Sequence, residues 1–541
     1  MFKKVLQLLF SVLLLVVIKT QAQQQTDTLQ AGKKIDILFA ERMNIRQSDS
    51  GGQLISYAGK VKMKQGKTFI YADSIVLNQK ENIVEAFGSV HINDADSVHT
   101  YADYLQYLGN FKKAYLKKNV KLTDGKGVLT TNELEYDVNT KIGTYLNGGK
   151  VINGKTKLTS KEGYYYGETK DVYFKKNVIL NNPDYKINTD TLLYNTYTTI
   201  ATFVTQTNIE TNGRKVKTKD GFYDLKNKKA FLAKRPVIED SASILKANEI
   251  EFNDSTGISV CTNDVVYISK DKKNGYNLIA NRLETNSKKN SFVATQSPIL
   301  LIKQNKDSVF IRADTLQSAK LSDLLKTKQV RNLRDSSNNK INWLIPKPKD
   351  TANDKYFEAY HHVRIFSDSM QAIGDSLFYS LQDSTFRLFK NPVVWAQENQ
   401  ITGDTIYLFL ENKKPQKIAV IDNAMTINKA AQNYFNQMSG KTIIANFIKG
   451  EMSFMRCKGS PANNIYYGTD EQRKFFGVNQ STADVIDIYF NENKPQRVVF
   501  RNQLQGTTYP MGQINHDELK VRNFKWLNEK RPKSVFEILT Q

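Results

Sequence analysis

From Glu41 to Asp404 a small or polar residue, an Asp or Glu, and then an alternation of apolar and polar positions recur about every thirty residues. In Asn132-Glu133-Leu134-Glu135-Tyr136-Asp137-Val138, the residues Leu134, Tyr136 and Val138 point one way and Glu133, Glu135 and Asp137 the other. That period of two predicts a half-buried strand. Asn139-Thr140-Lys141 predicts a turn, Ile142 to Leu146 a second strand, and Asn147-Gly148-Gly149 another turn before Val151. Other copies alternate in the same way: Ile75 with Leu77, Ile83 with Phe87, Leu192 with Tyr194, Ile250 with Phe252, and Ile406 with Leu408 and Leu410. Helix-period stretches are absent from the array, and Tyr, Phe, Thr, Val and Ile are plentiful, so the fold is expected to be all-β, with two or three short strands per repeat.

The acidic anchors are Glu41, Asp73, Asp103, Glu133, Glu162, Asp190, Asp220, Glu249, Asp314, Asp375 and Asp404, with Arg282 in the same place in one copy. Successive gaps are 32, 30, 30, 29, 28, 30, 29, 33, 32, 61 and 29, and the gap of 61 reads as two periods with one anchor missing. A fixed period means a unit that buries its apolar face only by stacking on its neighbours, so an elongated stack is expected. A second marker precedes a strand in most copies: Lys118-Asn119, Lys176-Asn177, Thr207-Asn208, Arg235-Pro236, Asn263-Asp264, Ser297-Pro298 and Asn391-Pro392. Asn, Asp and Pro favour turns, so these are expected to be corners of the stack. A repeated carboxylate at a strand entrance then reads as a turn cap in preference to a metal ligand.

Between Lys320 and Tyr356 the alternation fails, and Ser336-Ser337-Asn338-Asn339 and Pro346-Lys347-Pro348 mark a polar, proline-broken stretch. The expected organisation is a first array over 23–319, a flexible insert over 320–356, a second array over 357–515 and a C-terminal tail over 516–541. Within the second array, Asp404 to Val420 resembles Asp484 to Phe500, with Lys414-Pro415-Gln416 matching Lys494-Pro495-Gln496. Leu519 to Leu539 reads as a short helix or a tail.

Lys3 and Lys4, the apolar run from Val5 to Ile18, and Thr20-Gln21-Ala22 predict a secretory signal peptide over 1–22. The mature chain is therefore expected to be exported and soluble, periplasmic and possible to find at the outer membrane. The net charge of +23 comes from 77 Lys plus Arg against 54 Asp plus Glu, and loss of Lys3, Lys4 and Lys19 leaves +20. In an exported protein that excess points to an anionic glycolipid, phospholipid or cell-wall polymer and away from nucleic acid. Cys261 and Cys457 lie far apart in the array and read as core residues, not as a disulfide framework.

Gly149-Lys150-Val151-Ile152-Asn153-Gly154-Lys155-Thr156 satisfies the phosphate-loop expression, but that motif needs a helix after it and strand-like sequence begins at Leu158. It is read as an accident of the turn register. His361-His362 is the only histidine pair, and His91, His99 and His516 are distant in sequence, so no metal site and no cofactor are expected. No serine elbow or Cys-His signature occurs, and acidic pairs are too common at the turns to nominate an acid and a base. An enzyme is not expected.

The units Tyr71-Ala72-Asp73-Ser74-Ile75, Tyr101-Ala102-Asp103-Tyr104-Leu105 and Arg312-Ala313-Asp314-Thr315-Leu316, alternating with Phe87-Gly88-Ser89-Val90 and Gly149-Lys150-Val151, resemble the OstA-like, LptA-type lipopolysaccharide transport proteins of Gram-negative bacteria. The resemblance covers roughly Ile35 to Tyr509. It implies a β-jelly-roll of two facing sheets, open along one edge, whose apolar interior holds the acyl chains of lipopolysaccharide or another anionic glycolipid. Separately, the ends of such a stack carry unpaired strand edges, so the first strands, near Ile35 to Met43, are expected to mediate either docking to outer-membrane and inner-membrane transport components by edge pairing or end-to-end self-association. This chain has far more repeats than the short bridge protein of that family, carries the stretch after Lys320, and leaves no room after the array for an outer-membrane barrel. The candidate groove residues are Leu134, Tyr136, Tyr194, Phe252 and Leu408. Two other readings remain open: an exported structural or adhesive β-solenoid filled by its own side chains, and a carbohydrate-active enzyme on a repeat β scaffold.

Overall fold

The computed structural model describes residues 35–540 apart from 48–50, 95–97, 126, 212, 272–274, 303–307, 334–341, 348–353, 412–413, 449–450, 471, 473 and 493; the expected signal peptide lies outside the described residues. The protein is all-β. Among the described residues, α-helix occurs only at Leu321–Leu324 and Val535–Thr540. The chain forms two compact units, residues 1–135 and 136–541, a division that falls elsewhere than at 320–356.

In the first unit the strands Gln53–Gln65, Thr68–Asn78, Ile83–Asp94, Val98–Leu108 and Lys113–Thr123 pair antiparallel in chain order. Each of the four ladders shifts register near its middle, between Ala58 and Val61, Tyr71 and Ser74, Phe87 and Val90, and Tyr101 and Tyr104. The cause is local. Two consecutive residues take positive φ, as at Gly88 (71°) and Ser89 (42°) or Lys118 (63°) and Asn119 (52°), and such a bulge kinks its strand. The left-handed region costs a non-glycine residue roughly 1–2 kcal/mol, so each corner needs support. The acidic anchors supply it: Asn119 Nδ2 donates to Asp103 Oδ2 (2.7 Å) and Ser89 Oγ to Asp73 Oδ2 (3.3 Å). At Gly88 a Cβ would collide with the Asp73 carboxylate, which adds a steric demand for glycine to the conformational one.

The second unit uses the same device. Positive φ pairs occur at Lys176-Asn177, Lys234-Arg235, Asn263-Asp264, Gln296-Ser297, His361-His362, Lys390-Asn391, Asp422-Asn423 and Asn502-Gln503. Their anchors answer through Lys176 Nζ to Glu162 Oε1 (2.5 Å), Lys234 Nζ to Asp220 Oδ2 (2.7 Å) and Asn423 Nδ2 to Asp404 Oδ1 (3.0 Å). The histidine pair is one of these corners, with His362 Nδ1 2.9 Å from Asp314 Oδ2 and His361 Nδ1 3.2 Å from Asp375 Oδ1. Of the corners expected from sequence, Thr207-Asn208 is misplaced, because it lies inside the strand Thr207–Thr211. The phosphate-loop match folds as a hairpin, with Gly149–Asn153 paired to Thr156–Ser160 and no helix after it.

A kinked strand feeds two sheets. In Tyr356–Phe366, which holds the His361-His362 corner, residues 356–360 pair with Thr315–Ala319, whereas residues 364–366 pair with Val309–Arg312. Repetition of this split builds two sheets within the unit.

The gap of 61 is not a missing anchor. Thr315–Ala319 pairs directly with Tyr356–Phe366, and the Asp314 carboxylate meets the His361-His362 corner, so one repeat carries an insertion between its halves and the ladder continues across it. The described residues of 320–356 are held by apolar contacts. Leu321, Val330 and Leu344 pack with Tyr356 and Phe378, and Leu333 packs with Tyr407, Phe409 and Ala419. Arg387, sandwiched between the rings of Phe378 (5.4 Å) and Tyr407 (6.0 Å), donates from Nη2 to the Arg331 carbonyl (3.2 Å).

The residues after His516 cover the other sheet. Leu519 and Val521 join a core with Met425, Ile427, Ile465, Tyr467 and Val478, and Ile538 is buried against Ile299 and Phe366. Two buried glutamines clamp the backbone of this segment by the same pattern. Gln400 donates from Nε2 to the Lys525 carbonyl (2.7 Å) and accepts at Oε1 from the Leu527 N–H (2.7 Å). Gln437 does so with the Leu519 carbonyl (3.2 Å) and the Val521 N–H (2.9 Å).

Asp487 is fully buried and accepts from Arg456 Nε (2.6 Å) and Nη2 (2.8 Å) and from Arg501 Nε (3.0 Å). The hydrogen bond from Arg456 leads the causes that hold its carboxyl below the ordinary 3.8. A depressed carboxyl contributes stability above its unfolded value and loses it as pH falls through the folded value. Asp487→Asn should therefore cost about 1–3 kcal/mol at pH 7 and flatten the decline in stability below pH 3.8. Urea unfolding of both proteins from pH 7 to pH 2.5 checks this, and parallel curves for the two would contradict it.

Candidate functional site

Within the second unit the inner faces of the two sheets enclose a cavity of about 980 Å³. One wall carries Ile187, Ile209, Val216, Ile238, Leu245 and Leu278, and the other Tyr194, Phe203, Ala230, Leu232, Phe252 and Phe292. These residues share one inner surface because a strand period of two puts every second side chain on that side. Polar turns rim it, with Arg214, Lys226 and Lys228 beside Asp184, Asp240 and Asp254. From Tyr194 to Lys355 the wall crosses nine strand-to-strand steps. At ~4.8 Å per step that is about 40 Å.

Five tyrosines give the lining a polar component. Burial pushes the Tyr185 phenol up to about 12 and raises those of Tyr194, Tyr223, Tyr267 and Tyr276 above their ordinary value. All therefore stay protonated donors at neutral pH. Tyr223 spends its hydroxyl on Asp254 Oδ2 (3.3 Å). The Tyr185 and Tyr223 rings lie 5.9 Å apart and Tyr223 lies 6.2 Å from Phe252, so the aromatic surface is continuous across the cavity.

The cavity ends in an aromatic plug. Tyr276 lies against Phe292 (5.9 Å) and Phe357 (5.3 Å), Phe357 against Tyr379 (6.5 Å), and Tyr379 stacks on Phe386 (4.3 Å). The void among Phe357, Leu377, Tyr379 and Phe386 is only about 10 Å³. That is at the lower limit for one water molecule.

Of the five residues expected to share one groove, Tyr194 and Phe252 line this cavity. Leu408 does not: it is buried beyond the plug, opposite Phe386 and Ile418 on the neighbouring strands, where larger side chains have filled the interior. Leu134 is buried in the first unit, and Tyr136, half-buried, opens the second; neither is on the cavity wall. Tyr223, Tyr185 and Lys355 were not anticipated. Tyr223 sits three residues after its anchor Asp220 as Phe252 sits three after Glu249, a signal present in the repeat; nothing local marks Lys355. The carboxylates of Asp103, Glu162, Asp220 and Asp404 are engaged with corner side chains, and no group of three or more metal-ligating side chains occurs among the described residues. No described helix is long and apolar enough to cross a membrane.

Leu408→Ala should open a void in a filled interior and lower stability by about 2–5 kcal/mol, whereas Phe252→Ala, which only widens an existing cavity, should cost clearly less. Urea midpoints of the two variants measure the difference, and equal losses would show that the two positions are packed alike.

Residues 32–190 match the family described as OstA-like protein. No curated protein matches the chain. Among solved structures, that of LptH, the LptA homologous periplasmic component of the conserved lipopolysaccharide transport device from Pseudomonas aeruginosa, is similar at 19% identity. It covers 20% of this chain and 80% of that one, with a TM-score of 0.19.

Proposed function

We propose, from the match of residues 32–190 to the family described as OstA-like protein, that this chain is a non-catalytic periplasmic carrier that shields the acyl chains of lipopolysaccharide or a related anionic glycolipid on their way to the outer membrane. One observation carries the reading: two sheets leave between them a cavity of about 980 Å³ with apolar walls. Exposing a methylene to water costs about 0.8 kcal/mol, so a chain of a dozen carbons costs on the order of 10 kcal/mol and needs such a shelter. A bilayer core of about 30 Å holds two leaflets, so one acyl chain reaches about 15 Å. The cavity, at about 40 Å by strand spacing, is longer than one chain and offers successive positions along it. Arg214, Lys226 and Lys228 at the rim, and the net charge of +23, favour phosphorylated head groups.

The plug favours a second role for the residues beyond it. With the interior filled by Phe357, Tyr379 and Phe386, the strands from Tyr356 onward act as a scaffold in this reading, not as a further stretch of groove.

A photo-crosslinking residue at Tyr194 or Phe252 in the purified mature protein should capture lipopolysaccharide, while one at the exposed Glu251 or the enclosed Leu408 should not. Labelling at all four sites alike, or at none, would remove the carrier reading and leave the scaffold.

Docking belongs to the first unit in this proposal. Ile35–Phe39 and Arg42–Gln47 both pair with Gln53–Gln65, and Leu38 (49%), Phe39 (52%), Met43 (56%) and Ile45 (50%) are exposed there. Such strands offer an edge for a β-rich transport partner or a second copy. Ile37→Pro should weaken any self-association seen by analytical ultracentrifugation at least severalfold while the circular dichroism of the chain stays unchanged; an assembly of undiminished strength would show that this edge is not the interface.

A further inference from the structure

Lys355 stands at the end of the cavity, directly before the strand Tyr356–Phe366. Strand alternation puts it on the same side as Phe357, whose ring closes the cavity against Tyr276 (5.3 Å) and Phe292 (6.3 Å). Its carbonyl accepts from the Leu381 N–H (3.0 Å), but its ammonium has no ion-pair or hydrogen-bond partner among the described residues. The adjacent acid, Asp354, is occupied: it accepts from the Ser322 N–H (2.6 Å) and Oγ (2.7 Å). Burial alone pulls the Lys355 pKa below its ordinary value, with no carboxylate to raise it again.

Several lysines elsewhere in this unit are paired. Lys176 has Glu162, Lys234 has Asp220, Lys270 has Glu239 and Lys328 has Glu358. A half-buried ammonium without an anion is costly, and here it faces an apolar chamber with Ser318, Ser291 and Asn290 lining the same end. Ser318 is opposite both Phe292 and Phe357 across its strand, so these hydroxyl and amide groups stand within two strands of Lys355.

We propose that Lys355 is the head-group anchor of the cavity: its ammonium takes the anionic end, a carboxylate or a phosphate monoester, of an acyl amphiphile whose tail lies along Tyr276, Leu278 and Leu245. The inference rests on the reading of the cavity as a lipid site. Its rival is a lysine that merely lays its stem on apolar surface and keeps its charge in water.

The test is displacement of a fluorescent fatty-acyl probe from the purified mature chain by three ligands of one chain length: laurate, dodecyl phosphate and the neutral dodecanol. At least one of the two anions should compete better than dodecanol, and which of them does so identifies the head group. Lys355→Met should weaken that anion about tenfold, the loss of one charge-assisted hydrogen bond, and leave dodecanol within about twofold. Lys355→Arg should restore it. If Lys355→Met disturbs the circular dichroism, Lys355→Gln, which removes the charge and keeps a polar tip, should weaken the anion and leave dodecanol within about twofold. Anion affinity indifferent to loss of the Lys355 charge would overturn the anchor while leaving the lipid cavity standing. Failure of all three ligands to displace the probe would overturn both.

Discussion

A carboxylate bound to a two-residue left-handed corner is the interaction on which both units depend. Without the corner an antiparallel strand of eleven residues, such as Tyr356–Phe366 with its His361-His362 corner, would stay in one sheet. With it, the strand's halves pair with different partners and two sheets arise from one run of chain. The corner is costly in backbone energy, and Asp103, Glu162, Asp220 and Asp404 offset that cost through hydrogen bonds to the corner side chains. The backbone contributes as well, since the Asp404 N–H donates to the Asp422 carbonyl (2.9 Å) and the Asp484 N–H to the Asn502 carbonyl (3.1 Å). This is why the acids recur with such regularity while their corner partners vary among Asn, Lys, Ser and His.

Once two sheets face one another, side-chain volume decides what lies between them. Around Ala230, Leu232 and Val216 a cavity of about 980 Å³ remains between the sheets. From Phe292 onward the inward positions carry Phe357, Tyr379 and Phe386, whose rings touch in succession and close it. The transition takes place within one fold and one period. A chamber for an apolar ligand and a filled scaffold therefore differ here by a handful of aromatic side chains.

The outer faces of the strands beyond the plug are covered by chain that does not belong to the repeat. Tracing register from the cavity residue Leu278 through Leu300, Ile311, Ile365, Ala372 and Val394 follows the inner row, so Gln371, Trp395 and Gln400 lie on the opposite face. That face receives the C-terminal segment, whose backbone polar groups are satisfied by Gln400 and Gln437 and whose Arg531 Nε donates to Gln371 Oε1 (2.7 Å). Buried amides of this kind are tolerated because each is fully used. Phe378, Arg387 and Tyr407, on the outer face of the other sheet, receive the residues inserted after Lys320.

The amino-acid sequence by itself determined the all-β class, the thirty-residue period, the capping role of the acids and most of the corners, because all of these are local. Alternation over five residues sets a strand's face, and Asn and Asp tolerate positive φ better than other non-glycine residues. Tertiary structure alone decided where the interior is open. Leu408 and Phe252 present the same local pattern, yet one is enclosed against Phe386 and Ile418 and the other borders a cavity, because the difference lies in the size of residues contributed from strands distant in sequence. The same holds for the stretch after Lys320 and the C-terminal residues. Their composition reads as turn and tail, but Leu321, Val330, Leu344, Leu519 and Ile538 gain their burial from partners up to 239 residues away, as from Ile538 to Ile299, which no local period records. Lys355 belongs with them, since a lysine before a strand is unremarkable until the fold places it at the end of an apolar chamber with no carboxylate partner among the described residues.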